Sequence, residues 1–287
     1  MLPTVSAMLF SRNNVVRKHE VTNYYCDEEI SGGTMFHITR SLIAVLVMVC
    51  CTPIVTAQNV HEYVVNKTAS PIVIDGILSE SDWTFAPLTE SFINYKDGKK
   101  QKFATQGKML WDETYLYIAF IMTDEDVWGE MTSWAPGDKC LCSEEVAEVF
   151  IDPDGDSKMY MEIEINPLGT LMDLYVDKDR DKLGGKAFFD WQFKDLKIGV
   201  SVNGTLNKYE SKDKGWICEL ALPYTTMAFS SPTQNFPPKI GDTWRLNLYR
   251  YNYDRGEDKL KELSAWNQTD NRGFHAPDKF GRIIFAK

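Results

Sequence analysis

Between Lys158 and Asn166 the chain alternates without a break. Met159, Met161, Ile163 and Ile165 hold one set of positions, and Tyr160, Glu162, Glu164 and Asn166 hold the other. Period two with one apolar side describes a β-strand with one face on a core, because successive side chains of a strand point to opposite faces. The same rule recurs. Thr114–Ile121 is aromatic and β-branched, Val146–Ile151 runs into the turn Asp152-Pro153-Asp154-Gly155-Asp156, and Pro167–Thr170 turns the chain into Leu171–Val176. Trp216, Cys218, Leu220 and Leu222 share one face of a later strand, and Trp244, Leu246 and Leu248 share one face of another. Helical signal is confined to Ser79–Trp83 and Pro223–Phe229. Many short strands between turn signals predict an all-β fold, a two-sheet antiparallel β-sandwich of the jelly-roll type with one or two short helical turns.

The first 57 residues read as separate from that fold. Met35–Arg40 is a weakly basic lead, Leu42–Val49 is an unbroken apolar run, and Val55-Thr56-Ala57 is a small-residue cleavage pattern. That order is a secretory signal, so residues 1–57 are expected to be removed and residues 58–287 to form a single domain, secreted or periplasmic. The apolar run is too short for a membrane span, which needs about 20 residues. The formal charge is −10. The expected leader carries four basic and four acidic residues, so its removal leaves that value unchanged. An acidic chain of this kind argues against nucleic acid and anionic membrane as partners. Cys140, Cys142 and Cys218 remain after cleavage; a loop-to-strand bridge and a buried unpaired Cys218 are both open.

Several motifs then occur in a fixed order: Ile72-Val73-Ile74-Asp75-Gly76 with Asp82-Trp83, Trp111–Tyr117, Val146–Asp152, Gly215-Trp216 and Pro277-Asp278-Lys279-Phe280-Gly281. Together they resemble the family 9 carbohydrate-binding modules over nearly all of residues 70–287. The resemblance implies a sandwich that holds a sugar between two tryptophan faces. One of those positions falls near Cys142 and the other on Phe274. The family's strand glutamate falls on Glu148, and a binding arginine falls on Glu164, a reversal of charge. Trp134, in the loop before Cys140, is the candidate replacement for the missing wall.

A glycan or oligosaccharide ligand is therefore expected at Phe274, His275, Trp266, Glu148, Glu164, Asn166, Trp134, Tyr249 and Tyr251. Exposed loop aromatics serve contact, or else plug the end of the sandwich. The polar faces Glu162/Glu164/Asn166 and Arg245/Asn247/Tyr249/Tyr251 read either as a groove or as an ordinary solvated sheet face. Trp83, Trp111, Trp216 and Trp244 read as core, and Trp191 as either.

Asp152, Asp154 and Asp156 place carboxylates at every second position, as calcium prefers, and the resemblance also implies structural calcium. Polysaccharide capture in carbohydrate catabolism is the first functional reading. A weak O-glycosyl hydrolase is a second, resting on paired carboxylates such as Glu148 and Glu164. A haem-binding electron-transfer domain is a third, with Met159, Met161 and His275 as candidate ligands. No nucleophile elbow, phosphate loop or dinucleotide fingerprint supports any other enzyme.

Overall fold

The computed structural model describes residues 60–178, 186–255 and 259–287, so the expected leader over residues 1–57 lies outside the described residues. Strands dominate. They are β1 (Glu62–Lys67), β2 (Ile93–Asn94), β3 (Thr105–Trp111), β4 (Tyr115–Thr123), β5 (Val146–Asp152), β6 (Met159–Ile165) and β7 (Leu171–Asp177). After these come β8 (Lys186–Phe188), β9 (Lys197–Asn203), β10 (Gly215–Pro223), β11 (Thr243–Asp254), β12 (Lys259–Ala265) and β13 (Gly281–Phe285). Two one-turn helices, α1 (Ser81–Phe85) and α2 (Tyr224–Met227), stand where the two helical signals were read.

The strands follow one continuous hydrogen-bonded path, β8-β7-β6-β5-β11-β13-β1-β3-β4-β10-β9, with β12 and β2 attached beside β11. Most pairs are antiparallel, but β1 runs parallel to both of its neighbours, β13 and β3. The expectation of purely antiparallel pairing is corrected at this point. β1, the first strand, lies between β3 and the last strand, β13, and so bridges the two halves of a curled, mixed sheet.

Alternation places the core between those halves. Leu116, Ile118, Phe120 and Met122 of β4 and Trp216, Cys218, Leu220 and Leu222 of β10 contribute to the same buried cluster as Val149, Ile151, Met161, Ile163, Leu246 and Leu248 from the other half. Burying a side chain of this size contributes roughly 1.5–3 kcal/mol. Trp111, Trp216 and Trp244 belong to this cluster. Trp83 belongs to a smaller one with Leu110, Tyr117 and Ala221 on the outer face of the β3–β4–β10 half. Trp191 packs at the sheet margin against Tyr175, Phe193 and Phe229.

The outer face of the other half departs from the sequence expectation. β5 is buried at every position, and Tyr160, Glu162 and Glu164 are buried as well as the apolar side of β6. The reading of an ordinary solvated face is overturned. Side chains from the segment before β5 (Met131, Trp134, Cys140, Leu141) and from the C-terminal loop (Phe274, Phe280) close over it as a second apolar cluster.

Candidate functional site

Register builds this covered face in rows. Tyr249 of β11 stands opposite Glu148 of β5, Glu148 opposite Glu164 of β6, and Glu164 opposite Met172 of β7. The next row runs Asn247, Phe150, Glu162 and Leu174. Directly paired residues share a face and bring their Cβ atoms to about 4.5–5.5 Å. Glu148, Glu162 and Glu164 thus converge, each offering an oxygen within 4.8 Å of the others. Burial raises all three pKa values; the charges of Glu164 and Glu162 push Glu148 further, and the charge of Glu162 pushes Glu164 further. An ionised carboxylate loses its hydration here, so the neutral form is favoured.

Aromatic rings roof the carboxylates. Phe274, only 7% exposed, lies stacked on Tyr249 and meets Tyr95 and Tyr251 edge-on, with ring centroids 5.1 and 5.2 Å away. Trp134 joins the same cluster and packs against Phe189 at 6.0 Å. The Nδ1 atom of His275 lies 2.7 Å from the Tyr160 hydroxyl, and its ring sits 5.1 Å from that of Phe150. Desolvation, with Lys178 nearby, holds the His275 imidazole below its ordinary pKa. Tyr95, Trp134, Phe189, Tyr251 and His275 are half-buried and form the rim. Tyr95 and Phe189 were not singled out from the sequence; neither lies in a motif, and only the folded chain brings them to Phe274 and Trp134.

Other expected site residues are used elsewhere. Trp266 is fully buried in the main core, with its Nε1 donating to Glu90 at 2.8 Å, so its ring offers no free stacking face. Gly281 is what permits this, since a Cβ there would come within 2.4 Å of the Trp266 ring. Asn166 is fully buried in the β6–β7 turn. Its Nδ2 donates to the Met131 carbonyl and Glu144, and its Oδ1 accepts from Leu168 and Thr170, so it holds the turn and not a ligand.

Arg245 lies one row past Glu162, opposite Asp152 in the register, and Asn247 holds the C-terminal loop through the Asn267 carbonyl. The haem ligand set is not assembled. Met161 points into the main core while His275 contacts Tyr160 on the opposite face of β6. Of the two cysteine readings left open, the buried unpaired Cys218 is the one found, and the bridge is Cys140–Cys142 within the loop.

At the Asp152–Asp156 turn the three carboxylates also come within 4.8 Å of one another. Asp152 is buried, and its two oxygens accept from the Gly155 and Ser157 amides at 3.0 Å each. Burial raises its pKa to about 7. A separate open depression of about 260 Å³ is lined by Asn207, Tyr209, Glu210 and Arg255. None of these carboxylates lines it, and it has a single aromatic in its wall.

Comparison with known proteins agrees with this architecture. A family 9 module from Caldicellulosiruptor kristjanssonii, solved in complex with cellotriose, superposes with a TM-score of 0.52 at 12% identity, covering 78% of this chain and 93% of that one. A protein of Bacteroides uniformis whose name assigns it to carbohydrate binding superposes with a TM-score of 0.53 at 16% identity, covering 79% and 100%. At such identities the likeness speaks for the fold alone. No curated protein matches the chain. The model of the "Carbohydrate family 9 binding domain-like" family matches residues 74–287, taking in Asp75-Gly76 at one end and the Phe280-Gly281 turn at the other, and the chain belongs to that family.

Proposed function

We propose that this protein binds a carbohydrate, an oligosaccharide or a glycan end, against the aromatic rim of Tyr95, Trp134, Tyr251 and Phe274. The observation that carries this reading is the place of that rim. It gathers around Phe274 and the Cys140–Cys142 loop, the two positions where the family resemblance sets the stacking residues. Flat aromatic rings meet the C–H faces of sugars, and a few fixed polar groups set orientation; the tips of Tyr251 and His275 stand at the rim for that task. The related module from Caldicellulosiruptor kristjanssonii was solved with cellotriose, so cellotriose is the first probe.

Binding is favoured over hydrolysis. Glu148 and Glu164 stand side by side in one row, with oxygens inside 4.8 Å and covered by rings, whereas an acid and its partner flank a sugar at about 5–10 Å. We read the protein as exported through its leader, as acting in polysaccharide capture and carbohydrate catabolism, and as a jelly-roll sandwich whose two antiparallel layers are joined by β1. We also read the Asp152, Asp154 and Asp156 turn as a calcium candidate. A glycan array followed by calorimetry with cellotriose tests the central reading. Binding that Tyr251→Ala weakens supports it, and a parent protein that retains no glycan sinks it.

A further inference from the structure

Several buried carboxylates elsewhere in this protein are well supplied with donors. Glu219 accepts from Trp83 Nε1 and from the Asp75 and Gly76 amides. Glu144 accepts from the Glu130 and Met131 amides and from Asn166. Asp124 is paired with Arg250. Glu148, Glu162 and Glu164 differ. Each is at least nine-tenths buried, and each keeps an oxygen, Oε2, with no hydrogen-bond partner. Among the described residues no Lys or Arg nitrogen lies within ion-pair distance of any of them; the imidazole Nδ1 of His275 lies 4.0 Å from Glu162. Three buried acids without counter-charge are costly unless a cation or protons neutralise them.

We propose that Glu148, Glu162 and Glu164 form a binding site for one divalent, oxygen-preferring cation beneath the aromatic rim. The geometry suits it. Oxygens held about 2.3–2.6 Å from a calcium ion are at most about 5 Å apart, and these lie within 4.8 Å. Three carboxylates supply up to six oxygens, the hard donor set that calcium, manganese and magnesium take and zinc or copper prefer less. The nearby sulfurs of Cys140 and Cys142 are joined to each other and supply no thiolate.

The Asp152–Asp156 turn is a poorer competitor. Its buried Asp152 already accepts two amides, and Arg245 stands beside it in the register as counter-charge. Cation uptake by the glutamates releases whatever protons they share, so it strengthens as pH rises. The site does not depend on a sugar being bound.

The test is cation binding by the purified full-length protein after chelator treatment, with calcium, magnesium and manganese titrated separately by calorimetry. Wild type and Asp154→Asn are expected to take up one equivalent of at least one of these ions at this site. Glu148→Gln and Glu164→Gln are each expected to weaken that uptake on the order of tenfold or more. These substitutions keep shape and remove charge, so without metal the variants should melt no lower than wild type. Terbium(III) gives a second measurement needing no glutamate variant: beside Tyr249 and Tyr251 it should emit on tyrosine excitation in Asp154→Asn, and calcium should quench it. Uptake of no cation, or uptake unchanged by both Glu→Gln substitutions, overturns the proposal and leaves the glutamates holding protons only. Glycan binding is measured separately, so either result can fail without the other.

Discussion

Phe274 lies flat on Tyr249, with ring centroids 4.1 Å apart and planes 14° from parallel, while the Tyr249 hydroxyl donates to the Phe274 carbonyl at 2.9 Å. One face of the residue at the family's stacking position is therefore already occupied from within the protein. The ring works as a keystone of the second cluster, and what it offers a ligand is an edge.

Truncating it should then cost folding stability. Phe274→Ala removes a nearly buried ring that contacts Tyr95, Tyr249 and Tyr251, and such truncations typically cost about 3–5 kcal/mol. The urea midpoint should fall accordingly. A midpoint within error of the parent would mean that the C-terminal loop is not part of the cooperative unit.

The rim residues should separate binding from folding. Tyr251 and Trp134 are half-buried, so Tyr251→Ala and Trp134→Ala should lose less stability than Phe274→Ala. Each should weaken a bound glycan on the order of tenfold, the equivalent of about 1.4 kcal/mol. Affinity electrophoresis on a retained polysaccharide measures the loss. Unchanged mobility of both variants, with the parent retarded, would move the ligand off this rim.

The pH dependence follows from the buried acids. Burial raises Glu162 to about 7, so between the unfolded carboxyl pKa, about 4.3, and pH 7 the folded state holds a proton that the unfolded state has released. Stability from this group is full at low pH and is lost as pH rises through about 7. His275 acts in the opposite sense: its folded pKa is depressed, so its contribution is lost as pH falls below about 6.5. In chelator, the melting temperature of wild type relative to Glu162→Gln should therefore drop from pH 5 to pH 8, with His275 common to both proteins. A constant difference across that range would show that Glu162 is not the group that titrates.

Much of the fold was legible because alternation is a local signal. The odd positions of β6 face the core as read, and the four anchor tryptophans are buried as read. What the pattern could not give is the state of the even positions. Tyr160, Glu162 and Glu164 look solvated in sequence, and they are buried because remote segments, around Leu141 and Phe274, close over them. Period two reports which face a side chain takes, and says nothing of what later covers that face. The same limit explains Trp266, whose loop position suggested exposure until Gly281 let its ring sink into the core. Parallel pairing by β1 was equally hidden, since strand direction is set by which distant segments meet.

The Asp152 turn supplies a test of calcium that is distinct from the glutamates. If Asp152, Asp154 and Asp156 hold an ion, chelation should lower the melting temperature of Glu164→Gln, and Asp154→Asn should remove that effect, following the stabilisation expected for a ligand that binds only the native state. Identical melting curves of Glu164→Gln with and without chelator would assign the turn to backbone hydrogen bonding alone.

The opening motif yields the last prediction. Gly76 adopts φ of 80°, and a Cβ there would come within 2.7 Å of the Val200 carbonyl carbon, so glycine is required for this turn to lie against β9. The turn is held by Glu219 of β10, whose buried carboxylate accepts from the Asp75 and Gly76 amides at 3.2 and 3.0 Å and from Trp83 Nε1 at 2.9 Å. Asp75-Gly76 and Trp83, separate in sequence, are thus parts of one hydrogen-bonded unit. Trp83→Phe keeps an aromatic ring in the pocket but removes one donor, and should cost about 1–3 kcal/mol. Glu219→Ala orphans all three donors and opens a cavity, so it should cost more. Hydrogen exchange of the Asp75 and Gly76 amides locates the effect: it should accelerate strongly in Glu219→Ala and modestly in Trp83→Phe. Equal protection in both variants and the parent would mean that the turn is held by packing alone, and that Glu219 is an incidental neighbour.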